Sequence, residues 1–172
     1  AELWLTLDAM FVDPARVAPL VDALADRLRP HRVTAVCGPL LGGAFLAQAL
    51  ATGLGVAFYY AEPVPVPADA GLFRAEYRLP AELRRRVRGE RVAVVDDVIS
   101  AGSSVRATIE ALASAGASVS VVAAPLVLGD AAVTHFARAG VPMEMLAHRD
   151  FTLWKPDACP LCRDGVPLED PR

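Results

Sequence analysis

The sequence predicts an α/β fold: a doubly wound, mostly parallel sheet with a projecting flap hairpin and a small hood built from the two chain ends. Three observations predict it. Short apolar runs suited to buried strands alternate with segments whose apolar residues recur at helical spacing. The first strand, loop, helix and second strand form a unit that favours parallel pairing with a right-handed crossover. The length of 172 residues suits one domain with a substantial core.

The elements follow in order. Asp13-Pro14 is a helix start, an N-cap followed by proline at the first helical position. Val17, Leu20, Val21, Leu24 and Leu28 mark one face, and Pro30 ends the helix. Residues 33–37 read as the first core strand. A loop follows at Gly38-Pro39-Leu40-Leu41-Gly42-Gly43, then a small-residue helix over 44–51 and a second strand over 56–61. Residues 63–89 are set apart as a flap. Pro63, Pro65 and Pro67 favour an extended edge, Ala70-Gly71 a turn and 72–79 a returning strand. Residues 80–87 make a short helix with Arg84, Arg85, Arg86 and Arg88 on its solvated side. A central strand at 92–95 runs into Asp96-Asp97, and the next helix carries Val105, Ile109 and Leu112 on its apolar face. Another strand over 118–128, a helix over 130–139, a last strand over 141–146 and a C-terminal tail over 147–172 complete one domain spanning 1–172.

Composition narrows the function. Apolar residues make up 54% of the chain, which excludes disorder, yet no run approaches the ~20 apolar residues that span a bilayer. The N-terminus has no secretory pattern, so a cytoplasmic protein is expected. A formal net charge of −3 argues against a general nucleic-acid binder. Lys155 is the only lysine among 17 basic residues. Of three cysteines, Cys37 reads as a buried apolar residue. Cys159-Pro160-Leu161-Cys162 has zinc-knuckle spacing without a second such pair, and it does not open a helix after a strand as thioredoxin-like redox motifs do.

The run Asp96-Asp97-Val98-Ile99-Ser100-Ala101-Gly102-Ser103-Ser104 carries the chemistry. Paired carboxylates suit a ribose diol, although a strand followed by two acids also occurs as a magnesium site or a solvated pair. The amides that open the next helix suit a phosphate, because they are donors without intrahelical partners, backed by the helix dipole. Gly42 and Gly43 either form a plain strand-to-helix turn or let the backbone approach an anion. In an open α/β sheet both loops fall at the carboxyl ends of the strands, where ligands bind.

These residues resemble the phosphoribosyl-diphosphate (PRPP) signature of type I phosphoribosyltransferases, most closely the orotate phosphoribosyltransferases. The resemblance runs from about Leu3 to the C-terminus and includes the tail Cys159-Pro160-Leu161-Cys162-Arg163-Asp164-Gly165-Val166-Pro167-Leu168. It implies a Mg2+-dependent enzyme that transfers ribose 5-phosphate from PRPP to a nucleobase and releases diphosphate. Asp96 and Asp97 would bind the ribose hydroxyls, and the backbone of Ser100, Ala101, Gly102, Ser103 and Ser104, with the Ser103 and Ser104 hydroxyls, would hold the 5-phosphate; Val98 and Ile99 belong to the same PRPP-binding run. Leu40, Leu41, Gly42 and Gly43 would contact the diphosphate. Mg2+ would be held mainly by PRPP, with no protein-only metal site. A homodimer is implied, in which the flap completes the neighbouring site, with Arg74 and Arg78 as its catalytic cations. Phe11, Ser100 and Arg149 are the base-binding candidates.

Three departures leave the acceptor base open. The flap has no Lys and no His, only arginines, which do not donate protons near neutral pH. Where the resemblance implies a cation for the carboxylate of orotate, the chain has Leu128-Gly129-Asp130, with no Lys or Arg between Arg106 and Arg138. The stretch Leu5-Thr6-Leu7-Asp8-Ala9-Met10-Phe11 lacks the expected basic residue. Arg149 reads either as the substitute cation or as a surface residue. Orotate transfer is therefore the first expectation. A catalytically weak PRPP- or nucleotide-binding regulator, or a transferase for another base, are the alternatives.

Overall fold

Among the described residues, seven strands form one sheet in the order β3-β2-β1-β4-β6-β5, with β7 on the other edge of β6. The computed structural model describes residues 5, 7–65, 76–152, 154 and 156–166. The strands are β1 (Ala35–Pro39), β2 (Ala57–Pro63), β3 (Tyr77–Arg78), β4 (Arg91–Val95), β5 (Val98–Ile99), β6 (Ser118–Leu128) and β7 (Met143–Arg149). Every pairing is parallel except the antiparallel β2–β3 stem. The carboxyl ends of β1, β4, β5, β6 and β7 therefore share one edge.

The helices are α1 (Pro14–Leu28), α2 (Gly42–Leu54), α3 (Ala81–Arg86), α4 (Ser103–Ser114), α5 (Ala131–Arg138) and α6 (Pro160–Arg163). Alternation along β4 shows how they cover both faces of the sheet. Val92 and Val94 join Val105, Leu112 and Phe136 on one side, while Ala93 and Val95 join Leu24, Leu28, Leu46 and Leu50 on the other. Strands buried on both faces read as continuous apolar runs, as Val92-Ala93-Val94-Val95 does. Among the described residues, no helix is long and apolar enough to cross a membrane.

Several boundaries differ from expectation, each for a local reason. Asp13 caps α1, accepting from the Ala15 amide at 3.1 Å. Leu20, however, is 39% exposed, because the seam that faces the sheet is Val17, Val21, Leu24 and Leu28. β1 begins at Ala35, two residues late, because the Thr34 hydroxyl accepts from the Arg91 amide at 2.9 Å and ties down the strand's entry. It then absorbs Gly38 and Pro39, and α2 starts at Gly42, so the six-residue loop shrinks to Leu40-Leu41. A Cβ on Gly38 would lie 2.0 Å from the Gly43 carbonyl oxygen, so the missing side chains let helix and strand end stack directly. Val98 and Ile99 pair with β6 as a strand. The last strand starts two residues late and runs on to Arg149. The flap stem is present as β2–β3, closed by the Val64 amide donating to Glu76 at 2.8 Å. Its expected turn at Ala70-Gly71, together with Pro67, Leu72, Phe73 and Arg74, lies outside the described residues.

Candidate functional site: an acid pair between two glycine-bearing loops

The acid pair occupies a gap in the sheet. β4 and β5 lie end to end along one edge of β6, paired through Val95↔Ala123 and Val98↔Leu126. Asp96 still donates its amide to Ala123 at 3.1 Å. Two residues on, β6 would present its next N–H to the same side, but that residue is Pro125 and has none. The ladder lapses there, and Asp96-Asp97 turn out of it. Pro125 sits within the predicted 118–128 strand, and its role becomes visible only with the register.

The start of α2 closes over this gap. A Cβ on Gly42 would stand 2.2 Å from Asp97 Oδ2, and one on Gly43 would stand 2.7 Å from Asp96 Oδ1. Real Cβ atoms do not come that close, so each acid is matched to a glycine of the opposite loop. Leu40 is half-buried beneath, and Leu41 is exposed at the rim. The two loops expected to share a site do meet.

On the other side lies the opening of α4. Gly102 caps the helix at φ 75°, in the left-handed region where a side chain is strained. It is also buried against Ala132 and Phe136. The amides of Ser103, Ser104 and Val105 are the first of the helix and have no intrahelical carbonyl to meet. Arg106, one turn in, donates to the Ala101 carbonyl and, at 3.4 Å, to Ser103 Oγ. A guanidinium only donates, so the Ser103 oxygen is the acceptor and its own proton stays available for an anion. Ser104 is committed differently, donating to Asp96 Oδ2 at 3.3 Å. The two serines are chemically distinct, a difference their adjacent sequence positions conceal. Ser100 is half-buried between β5 and α4.

Electrostatics single out one acid. Burial, and then the neighbouring Asp97 charge, push the Asp96 carboxyl well above the ordinary carboxylate range. The Asp97 amide and the Ser104 hydroxyl offset this only in part. Asp97 is more open, and its Oδ1 accepts from the Val98 amide at 2.8 Å. A buried, crowded carboxylate pair of this kind has affinity for hydroxyl donors and for hard cations.

Other expected residues are placed less directly. Ile99 is 1% exposed within the core, so only its backbone can take part. Arg78 sits on the β2–β3 stem and is ion-paired with Glu62 at 3.5 Å. Phe11 packs against Phe45 of α2, ring centroids 5.7 Å apart, and lines a groove between α1 and α2. Tyr77, read as a flap residue, packs on the core and lies close enough to Asp96 for that charge, after burial, to raise its hydroxyl pKa. Arg149 ends β7 beside Leu128, and its carbonyl accepts from the Gly129 amide at 2.8 Å. The register thus sets Arg149 beside Leu128, with its side chain exposed and its Nη1 donating to the His148 carbonyl at 3.3 Å. His148 adjoins it, 3.4 Å from Asp130 Oδ1. Among the described residues, no group of three or more His, Cys, Asp or Glu could hold a metal by itself.

The phosphoribosyl transferase domain family matches residues 14–141 of this chain. Orotate phosphoribosyltransferase of Thermotoga petrophila is 35% identical over 153 residues, covering 87% of this chain and 73% of that protein. Among solved structures, orotate phosphoribosyltransferase from Aeropyrum pernix aligns with a TM-score of 0.64 at 26% identity, over 85% of this chain and 80% of that one. Adenine phosphoribosyltransferase from Thermoanaerobacter pseudethanolicus aligns with a TM-score of 0.67 over 86% of this chain and 88% of that one. At 19% identity that likeness speaks for the fold alone.

Proposed function

The chain belongs to the phosphoribosyl transferase domain family, and from that premise we propose that it transfers ribose 5-phosphate from PRPP to orotate, releasing diphosphate. The observation that carries the reading is the acid pair, held between the glycines of α2 and the open amides of α4. In this arrangement the amides of Ser103 to Val105 and the Ser103 hydroxyl hold the 5-phosphate. Arg106 adds positive charge behind them. Asp97 and Asp96 accept from the ribose hydroxyls, and the Leu40-Leu41-Gly42-Gly43 backbone lies along the diphosphate.

The reaction replaces the C1–diphosphate bond with a bond to the base nitrogen, through an oxocarbenium-like state. The protein contributes mainly position and charge stabilisation. Mg2+ fits this donor set, because Asp96 and Asp97 present crowded oxygens and substrate oxygens supply the remaining ligands. Bound there, it would neutralise diphosphate charge. Arg149, exposed at the end of β7 beside Leu128, offers a cation for the carboxylate of orotate, which favours orotate over an uncharged base. The homodimer and the cytoplasmic location belong to the same proposal. Exposed Leu41 and Phe45, the latter lining the Phe11 groove, support self-association.

The test is titration calorimetry with PRPP and Mg2+, followed by turnover against a panel of bases. The reading expects PRPP binding and consumption of orotate with diphosphate release. Absence of PRPP binding would overturn it, and turnover of adenine without orotate would reassign the base. A regulator is favoured instead if PRPP binds but no base is consumed. The observation behind that alternative is Arg78, already engaged with Glu62.

A further inference from the structure

The C-terminal turn carries a pair of thiols that the transfer reaction does not use. The sequence speaks against a redox pair, and among the described residues no strand directly precedes it, yet the pair does open a helix: Cys159 immediately precedes α6, with Pro160 at the first helical position, and its carbonyl accepts from the Arg163 amide at 3.1 Å. Cys162 lies on the same turn, three residues on. Both are free, Cys159 half-buried and Cys162 exposed. Residues three apart on an α-helical turn have Cα atoms about 5 Å apart. A disulfide accepts Cα separations of roughly 4.4–6.8 Å, so the spacing of this pair on one turn falls within the range a disulfide needs.

The turn also differentiates the two sulfurs. The Cys162 amide is the largest influence lowering the Cys159 thiol, while the contact with Cys159 raises Cys162. Cys37 provides the contrast: fully buried in β1, its thiol is pushed up to about 12 by burial. One thiol is prepared to attack, a second stands ready to resolve, and the third is withdrawn.

We propose that Cys159 and Cys162 form a dithiol–disulfide pair that exchanges with low-molecular-weight disulfides, making the C-terminal turn a redox-modification site. In the forward direction Cys159 thiolate attacks one sulfur of the small disulfide, giving a mixed disulfide and expelling one small thiolate. Cys162, deprotonated, attacks Cys159 sulfur and expels the second. The protein loses two S–H bonds and gains one S–S bond, and the small disulfide is reduced to two thiols.

The experiment equilibrates the full chain with glutathione mixtures of increasing oxidised fraction, followed by intact mass and peptide mapping. The expected result is loss of two hydrogens, a Cys159–Cys162 linkage reversed by dithiothreitol, and Cys37 alkylated only after unfolding. Cys162→Ser retains one glutathionyl group on Cys159. Cys159→Ser reacts at Cys162 more slowly, by about tenfold or more. Failure to form the linkage at any ratio overturns the proposal. So does Cys162→Ser reacting no faster than Cys159→Ser, or a purified chain with stoichiometric zinc on both sulfurs.

Discussion

The two edges of the sheet treat their polar groups in opposite ways. At the amino ends of the strands, polar groups are paired. His31 Nε2 meets Glu144 Oε1 at 2.9 Å, Arg91 Nη2 donates to the His31 carbonyl at 2.9 Å, and the Thr34 hydroxyl donates to Glu90. At the carboxyl ends, like charges are pressed together. Asp96 is buried beside Asp97, and its proton affinity rises accordingly. One edge is arranged for stability, and the other holds an unfavourable arrangement that a ligand with hydroxyls or a cation would relieve.

The sharpest test of that contrast is Asp96→Asn, which should move activity and stability in opposite directions. Removing the crowded charge abolishes the ribose and cation contacts, so kcat/KM falls by about 10²-fold or more. The same change raises Tm near neutral pH. A carboxyl whose folded pKa lies above its unfolded value favours folding in its protonated form. That contribution is complete below the unfolded pKa and fades as pH rises through the folded one. The wild-type penalty should therefore appear on the alkaline side, and the difference in Tm between Asp96→Asn and wild type should shrink on acidification. Thermal melts across pH, paired with PRPP binding, check both. A lower Tm for the variant at neutral pH would mean that the acid is structurally satisfied and the contrast is wrong.

Next in expected size is Gly42→Ala. Its Cβ would fall 2.2 Å from Asp97 Oδ2, so the acid or the loop must shift. Misplacement on this scale costs roughly 10- to 100-fold in catalysis. The loss should appear in KM for PRPP as well as in kcat. Gly53→Ala on the far end of α2, which has open space around it, serves as the control and should leave kinetics unchanged. Equal kinetics for the two variants would sever the link between the glycine start of α2 and the acids.

How much of this was legible in the residues themselves depends on whether a feature is local. Asp13-Pro14 announces a helix start, and Val92-Ala93-Val94-Val95 announces a strand buried on both faces, because the signals are short-range. The acid pair and the serine-bearing helix start were readable for the same reason. Pro125 was not, because it acts through cross-strand register, and Tyr77, which reads either as an exposed flap residue or as packed back on its own sheet, is decided by the fold-back of the flap stem onto the core. Arg149 reads either as a cation or as a surface residue; parallel pairing sets its backbone beside Leu128, and its side chain is exposed there. Gly42-Gly43 read as a loop because glycine weakens helices in general, whereas here a tertiary close approach outweighs propensity. Arg106 had a visible cue, as the last basic residue before a long stretch without any, but its bonds to Ala101 and Ser103 follow from the loop's path.

The serines provide a finer probe of the working edge. If Arg106 orients Ser103 so that its proton points outward, Ser103→Ala should raise KM for PRPP several-fold, by about 1 kcal/mol or somewhat more for a bond to a charged group. Ser104→Ala removes a donor to Asp96 and should instead raise that carboxyl's proton affinity further, moving the acid limb of the pH profile to higher pH. Arg106→Gln should mimic Ser103→Ala, and its effect should shrink when Ser103 is already alanine. A full additive loss in the double variant would show that Arg106 acts on the substrate independently of Ser103.

The smallest effect belongs to the matched edge and sets the baseline for the others. Glu144→Gln keeps the shape of the His31 contact while removing the charge, and both side chains are only part-exposed, 18% for His31 and 27% for Glu144. The expected cost is about 1 kcal/mol of stability. Because β7 carries Glu144 near its start and Arg149 at its end, the change tests whether the strand transmits disturbance from one edge to the other. The ladder between them is continuous on either side of Leu146, with Met145 opposite Ala124 and Ala147 opposite Leu126. A strand held at that many points should confine the change to its own end. Denaturant unfolding should therefore register the loss while kcat/KM for orotate stays at the wild-type value. A change in kinetics without a change in stability would reverse the roles assigned to the two edges.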